Sequence, residues 1–382
     1  MIRKRFVMMS VLMSVLLVSY LFSDVKNPDK PLKGEWDFQL KKVWEIDSAG
    51  DDVLARPVHL LVNDEGSIYL YDRKNRKLYM FKKNGEFLKI FAPQGEGPGE
   101  LRTFYDAYLF KGKLIVISFF KIHYFTQAGD YLHFVECNID HYYPRYFLTE
   151  DDFIHYSTGR TRLKGLERSI GFYNYKTKKE KKLIEYMAYE GGVAWEGGRV
   201  ITITQIAGVS PFMVATFDKD RFYYGFNNNY EIKAADYDTG KTLLAFSLDR
   251  KKKKLTDEDI EDFFKKNPPP RVDLHPSWIK QIKNSLPREE TFFSRMEIHN
   301  KLLYVHVSYL DRQLKQQQLD IFTPEGKYLY RAFIRAPEGT HIVAGPHPVF
   351  LIKNNHLYIT LEEEAGEGNV TLAKYEITLP KL

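Results

Sequence analysis

Apolar residues along this chain fall in short runs rich in Tyr, Phe, Ile, Leu and Val, separated by turns rich in Gly, Asn, Asp and Lys. Runs of that length, bounded by turn residues, predict strands. One phrase recurs: an aromatic-ended strand, a tight turn with Gly, and a second strand beginning near Leu. It occurs as LYMFKKNGEFLKIF (78–91), HYFTQAGDYLHFV (123–135), KAADYDTGKTLLAFSL (233–248) and LDIFTPEGKYLYRAFI (319–334). A degenerate copy without the turn glycine is GFYNYKTKKEKKLIEY (171–186). The turn centres Asn84-Gly85, Ala128-Gly129, Thr239-Gly240 and Glu325-Gly326 supply the positive φ of a tight hairpin. Another hairpin precedes each copy: VHLLVNDEGSIYLYD, DAYLFKGKLIVIS, RYFLTEDDFIHYS, FMVATFDKDRFYYGF and RMEIHNKLLYVHVS.

Each unit therefore holds four antiparallel strands in about 40 to 45 residues, the signature of a propeller blade. A sixth unit, from HPVFLIKNNHLYITLEE to NVTLAKYEITL, has three strands, and then the chain ends. WDFQLKKVWEID (36–47) reads as the missing strand. Paired with the last blade, it would close the ring and leave no long open edge, burying Trp36, Phe38, Leu40, Val43 and Trp44. The expected fold is all-β: a six-bladed β-propeller over 36–382, closed by an N-terminal strand.

FAPQGEGPGEL (91–101) sits where the last strand of blade 1 passes to the first strand of blade 2. Gly95, Gly97, Pro98 and Gly99 allow a sharp corner there. A phosphate-binding loop would need a following helix with Lys and Ser or Thr. LRTFYDAYLF follows instead, a strand pattern.

Composition narrows the function classes. The chain carries 26 Tyr and 27 Phe, residues suited to pleated surfaces. Its net charge of +6 is spread among mixed charges, which does not favour nucleic acid as a partner. The single cysteine, Cys137, excludes an intramolecular disulfide and a cysteine metal site; it reads as a buried thiol.

The N-terminus begins MIRKR, continues uncharged from Phe6 to Phe22, and turns polar at SDVKNPDKP. That order is an export signal. No small-x-small cleavage site is evident, so residues 1–23 read as a signal peptide or a signal-anchor, followed by a linker over 24–35. Either alternative puts the remainder in the periplasm or on the outer face of a membrane, with possible anchoring through residues 6–22. Without the first 23 residues, which hold Arg3, Lys4 and Arg5, the net charge falls from +6 to +3.

The GEGPGEL corner after YMFKKNGEFLKIF resembles the exported bacterial six-bladed propellers related to the NHL repeat, within the TolB-like propeller superfamily. In that group a G-x-G-P-G-E-[FL] corner follows the first complete blade. The resemblance covers 36–379 and implies fold and export; most members have no assigned activity. The chain departs from a regular repeat at blade 3, at AYEGGVAWEGGRVITITQIAG between blades 3 and 4, and at a longer insert before blade 5.

That insert predicts helices over 255–287. Thr256 with Asp259 forms an N-cap pattern, Ile260, Phe263 and Phe264 make an apolar stripe, and Pro268 to Pro270 end the first helix. Ser277 begins a second short helix. The insert reads as a decoration on the ring, or as a lid or docking element over the channel. Lys251 to Lys254 read as a solvated loop, with anionic lipid or cell-surface polymer as the alternative contact.

Inner strands offer Arg56, His59, Asp106, Arg145, Arg295, Glu297 and His347. His299 and His306 flank a hairpin and read as satisfied surface or core residues. No nucleophile elbow, His-Glu-x-x-His or acid pair occurs, so no catalytic residue, metal ligand or cofactor is assigned. Arg56, Arg145 and Arg295, near the starts of inner strands, are the candidate ligand-binding residues, because guanidinium groups bind carboxylate or phosphate bidentately; alternatively, each pairs with a neighbouring acid. The expectation is an exported binding or interaction module for a small anionic ligand or a protein. The alternatives are a metal-dependent lactonase or lyase, by fold analogy alone, and a scaffold subunit of an envelope complex.

Overall fold

The structure, a computed structural model, describes residues 23–137, 142–158, 166–188, 192–196, 199–204, 208–266, 275–309, 313–343, 350–364 and 369–382. Blade 1 comprises Pro57–Val62, Ile68–Asp72, Lys77–Phe81 and Phe87–Phe91. Blade 2 comprises Asp106–Phe110, Lys113–Ser118, Lys121–Thr126 and Tyr131–Glu136. Blade 3 is built from Tyr142–Phe147, Asp152–Thr158, Leu166–Asn174 and Lys179–Ala188, and blade 4 from Met213–Phe217, Arg221–Phe226, Glu231–Asp236 and Thr242–Asp249. Blade 5 contains Phe293–His299, Leu302–Val307, Gln316–Phe322 and Tyr328–Arg335. Blade 6 contains Phe350–Lys353, His356–Glu363 and Val370–Glu376, and Lys41–Ile46 completes it by antiparallel pairing with Val370–Glu376.

Blades bury both of their faces, so middle strands such as Ile68–Asp72 and Lys77–Phe81 are buried almost throughout, whereas outer strands such as Phe87–Phe91 alternate. On Lys77–Phe81, Leu78 and Met80 pack toward blade 2 while Tyr79 and Phe81 pack toward blade 6. Apolar clusters of this kind lie at all six blade junctions. The one between blades 6 and 1 joins Tyr358 and Leu372 to Leu60 and Leu70, so the ring is closed. Cys137 lies buried in the cluster between blades 2 and 3.

The turn glycines serve the same junctions. Gly326 has φ +79°, and a Cβ there would stand 2.7 Å from Cβ of Phe246 in blade 4. The outer hairpin of one blade is thereby pressed onto the outer strand of the one before it.

Of the closing strand's expected apolar contacts, Phe38 is fully buried, Trp36 and Leu40 pack partly against the cluster of blades 5 and 6, and Trp44 packs against blade 1. Val43 instead faces solvent, at 50% exposure. The register shifts between Lys42 and Trp44, and that irregularity turns Val43 outward.

Residues 24–35, expected as a linker, are bound to the ring. Ser23–Pro28 pairs in parallel with Thr242–Asp249 on the outer edge of blade 4. Leu32 and Lys33 then donate to the carbonyls of Tyr328 and Leu329, and Glu35–Trp36 pairs with the outer edge of blade 5. Both open edges are covered by backbone that needs hydrogen-bond partners of its own, so pairing satisfies the two together.

Two helices, α1 (Asp257–Lys266) and α2 (Pro276–Ser285), lie between the last strand of blade 4 and the first of blade 5. Thr256 caps α1 reciprocally with Asp259: the Thr256 Oγ1 accepts from the Asp259 N–H, and the carboxylate accepts from the Thr256 N–H. Ile260, Phe263 and Phe264 pack with Ile282 of α2 and Leu286 just after it in a small core of their own. α2 lies against Gly192–Glu196, which pairs with Arg199–Thr204 in the insertion between blades 3 and 4. The two insertions thus meet. The lysine run is largely exposed, as a solvated loop would be, and Lys252 and Lys253 pair with Glu289 and Glu290 at 3.3 and 3.2 Å at the stem of the helical insert.

Candidate functional site: an axial polar network and two rim cavities

Neighbouring strands within a blade run in opposite directions. The turn between the second and third strands, and the link from the fourth strand to the next blade, therefore fall on the face where the inner strands begin. This entry face carries Arg56, the turn after Asp72, the GEGPGEL corner and both insertions.

Asp72 organises part of this face. Buried completely, it accepts the N–H groups of Ala55 and Arg56 through one oxygen and of Lys74 and Asn75 through the other, at 2.8 to 3.0 Å. It fixes the start of the inner strand and the turn carrying Arg73 and Arg76.

On the inner strand of blade 5, Arg295, Glu297 and His299 recur every second residue and share a face. Arg295 Nη2 lies 2.7 Å from Glu297 Oε1, and its Nη1 donates to the carbonyl of Phe350 in blade 6 at 3.0 Å. Glu297 also meets His299 at 2.7 Å and His306 at 3.2 Å. Burial alone would push the Glu297 carboxyl up, but Arg295, His299 and His306 hold it well below the usual carboxylate range. Both histidines therefore stand against the Glu297 carboxylate.

Across the ring, Asp106 receives a hydrogen bond from Tyr108 at 2.7 Å and faces His59 Nδ1 at 3.3 Å and Arg145 Nη1 at 3.8 Å. His59 Nε2 lies 3.1 Å from the carbonyl oxygen of Ala107. Burial lowers the His59 pKa; Asp106 opposes the shift and Arg295 adds to it. His59 is thus within the field of arginine and acid alike. The Arg145 guanidinium lies over the Tyr156 ring, 4.8 Å from its centroid.

The structure brings Arg145 and Arg295 into this network, each beside a carboxylate. Arg56 is exposed, and among the described residues no hydrogen bond or ion pair joins its side chain to the other two. His347 lies outside the described residues. With two arginines, two carboxylates and His59 and His306 shifted toward neutrality by burial, the network is close to charge-balanced. Among the described residues no group of three or more His, Cys, Asp or Glu side chains is arranged to hold a metal ion.

The corner between blades 1 and 2 folds around Glu100. Its carboxylate accepts the Gly97 N–H at 2.8 Å, and a Cβ on Gly95 would stand 2.0 Å from Glu100 Oε2. Gly99 has φ +80° and lies against the Tyr131 side chain. Two cavities of about 320 and 260 Å³ flank this corner and share Arg102. Sequence reading passed over them because their residues come from a turn and a link rather than from inner strands.

Residues 49–206 match a family model, DUF5128, described as a 6-bladed beta-propeller. No curated protein matches the chain. Among solved structures, the chain is similar to a member of the DUF4221 family from Bacteroides vulgatus ATCC 8482, with 11% identity, TM-score 0.51, and coverage of 91% of this chain and 99% of that one. It is also similar to a candidate exported protein from Bacteroides fragilis NCTC 9343, with 12% identity, TM-score 0.48, and coverage of 94% and 100%. A third is the calcium-binding protein regucalcin from Agrobacterium tumefaciens str. C58, with 10% identity, TM-score 0.39, and coverage of 94% and 98%. Identities this low bear on architecture alone; the six blade sheets and six junction clusters, with the family model, establish the chain as a six-bladed β-propeller.

Proposed function

We propose that this chain is an exported binding module whose entry face receives an acidic small ligand or an acidic segment of a partner protein. The observation that supports it is the axial network, in which polar side chains from blades 1, 2, 3 and 5 are fixed on rigid strands by one another and by neighbouring carbonyls. Such preorganisation is what recognition requires. Arg56, Arg145 and Arg295 are assigned to the guest. Asp106 and Glu297 already occupy two of these arginines, so a guest carboxylate competes for the same guanidinium forks. Export rests on the charged start, the apolar 6–22 run and the polar exit, with the ring over 36–382 outside the cytoplasm and 1–23 as its signal or anchor. The GEGPGEL corner supports a place among the NHL-related propellers.

Calorimetry with dicarboxylates and acidic peptides tests the reading. Saturable binding, weakened in each of Arg56→Ala, Arg145→Ala and Arg295→Ala, is expected. Binding equal to the parent in all three variants removes these arginines from the site. Cell fractionation of the chain with and without residues 6–22 tests export.

A further inference from the structure

We propose that the 320 Å³ cavity between blades 1 and 2 on the entry face is a second binding site, and that it takes a ring-sized organic anion. Its walls are Arg73, Arg76 and Arg102, with Gln94, Thr103 and Phe104 between them. The volume is at the small end of the range for ligand pockets, enough for one ring and its substituents.

The charge is one-sided. Among the described residues Arg102 has a single acidic partner within ion-pair distance, Glu96, at 3.7 Å, and both side chains are more than half exposed. Water screens such a pair heavily. Among the described residues Arg73 and Arg76 have no acidic side chain within ion-pair distance. Asp72 lies next to them in sequence, but its oxygens are turned inward onto four backbone N–H groups. Three guanidinium groups therefore face one exposed carboxylate, whereas the axial network is balanced. Guanidinium forks match carboxylate, phosphate and sulfate.

A flat apolar wall adds the second requirement. Phe104 stacks on Tyr71 with ring centroids 4.0 Å apart and planes 15° from parallel. Tyr71 is buried and Phe104 half-buried, so the pair forms a rigid surface beside the arginines. A ring with one apolar face and an attached anion meets both features at once; an inorganic anion uses only the arginines.

The neighbouring 260 Å³ cavity extends the site past Arg102. His123 lines it, is 3% exposed, and has neither ring nitrogen hydrogen-bonded among the described residues. A buried imidazole with an unmet donor and acceptor is a standing cost. A hydroxyl on a guest reaching beyond Arg102 would meet it.

The test is titration calorimetry on the full-length chain with glucuronate, glucose and inorganic phosphate as probes. Glucuronate is expected to bind saturably and more tightly than either of the others. Arg73→Ala and Arg76→Ala should each weaken it by about tenfold or more, the loss of a charge-assisted contact, while Arg335→Ala, an exposed arginine on the outer strand of blade 5, leaves it unchanged. All these residues are partly or fully exposed, and equal melting temperatures check that the variants fold. No glucuronate binding, binding insensitive to Arg73 and Arg76, or binding lost equally in Arg335→Ala would overturn the site. Phosphate binding as tightly as glucuronate would overturn its assignment to a ring-sized guest. Because the two sites are probed by different variants, failure here is separable from failure of the axial reading.

Discussion

Arg250 donates to both oxygens of Asp320, at 2.6 and 3.1 Å, and that carboxylate has no solvent exposure. The same guanidinium reaches Asp29 through Nε and Nη2 at 2.9 and 2.7 Å. One side chain, at the exit of blade 4, therefore clamps the N-terminal belt to blade 5. Tyr230 and Tyr328 also donate to the carboxylate, at 2.6 and 2.7 Å, and Gln318 Nε2 does so at 3.0 Å. Burial alone would disfavour the Arg250 charge, but Asp320 holds it firmly protonated. Asp320→Ala should cost about 3 to 5 kcal/mol, the usual result of leaving one partner of a buried pair alone. Denaturant unfolding measures it; a loss below about 1 kcal/mol would mean that the belt is held by other contacts.

The closing strand gives a second prediction. Phe38 is 1% exposed between blades 5 and 6. Phe38→Ala should destabilise the ring by about 3 to 5 kcal/mol. Removing residues 36–47 should abolish the cooperative monomer, because Val370–Glu376 loses its partner and presents an open edge. A monomeric deletion variant with the parent's melting temperature would show that blade 6 is closed differently.

A third prediction concerns pH. Burial, helped by Lys121, lowers the His123 pKa from 6.5 to about 4. Below pH 6.5 the unfolded chain takes up a proton that the folded chain refuses, so stability falls as pH drops from about 6.5 to 4 and levels off below. After allowance for solvent screening the loss is about 2 kcal/mol. His59 and His306 are shifted in the same direction and add to the slope. Glu297, held low, contributes a further loss at still lower pH as its carboxylate is protonated. His123→Leu should flatten the decline between pH 6.5 and 4 and raise stability at neutral pH, since it removes an unpartnered buried polar group. Melting temperatures across that range decide it; an unchanged slope refutes the assignment to His123.

Gly326 offers a local check. Gly326→Ala must hold φ near +79° and place a Cβ 2.7 Å from that of Phe246. A cost of about 2 kcal/mol or more is expected in equilibrium unfolding, against less than about 1 kcal/mol if the hairpin simply rotates away.

The sequence by itself determined the blades. Strand runs, turn glycines and the three-strand sixth unit are local signals, and hairpin pairing is local in the chain, so Lys77–Phe81 with Phe87–Phe91, and the partnership of 41–46 with the last blade, were legible without coordinates. Helix α1 was legible too, because Thr256, Asp259 and the apolar stripe stand within a few residues of one another. Only the tertiary structure decided which polar groups meet. Arg295 and Glu297 are two residues apart, yet the network they join depends on strand twist and blade angle, which bring Asp106, Arg145 and His59 toward one axis. Val43 turned outward because a single bulge inverts the side-chain alternation. The belt over 23–36 was hidden for another reason: parallel edge pairing joins residues more than 200 positions apart, as in Val25 with Phe246, and leaves no periodicity in the short strand itself. The cavity of Arg73, Arg76 and Arg102 was likewise invisible, since a turn in one blade and the link to the next become neighbours only when the ring closes around them.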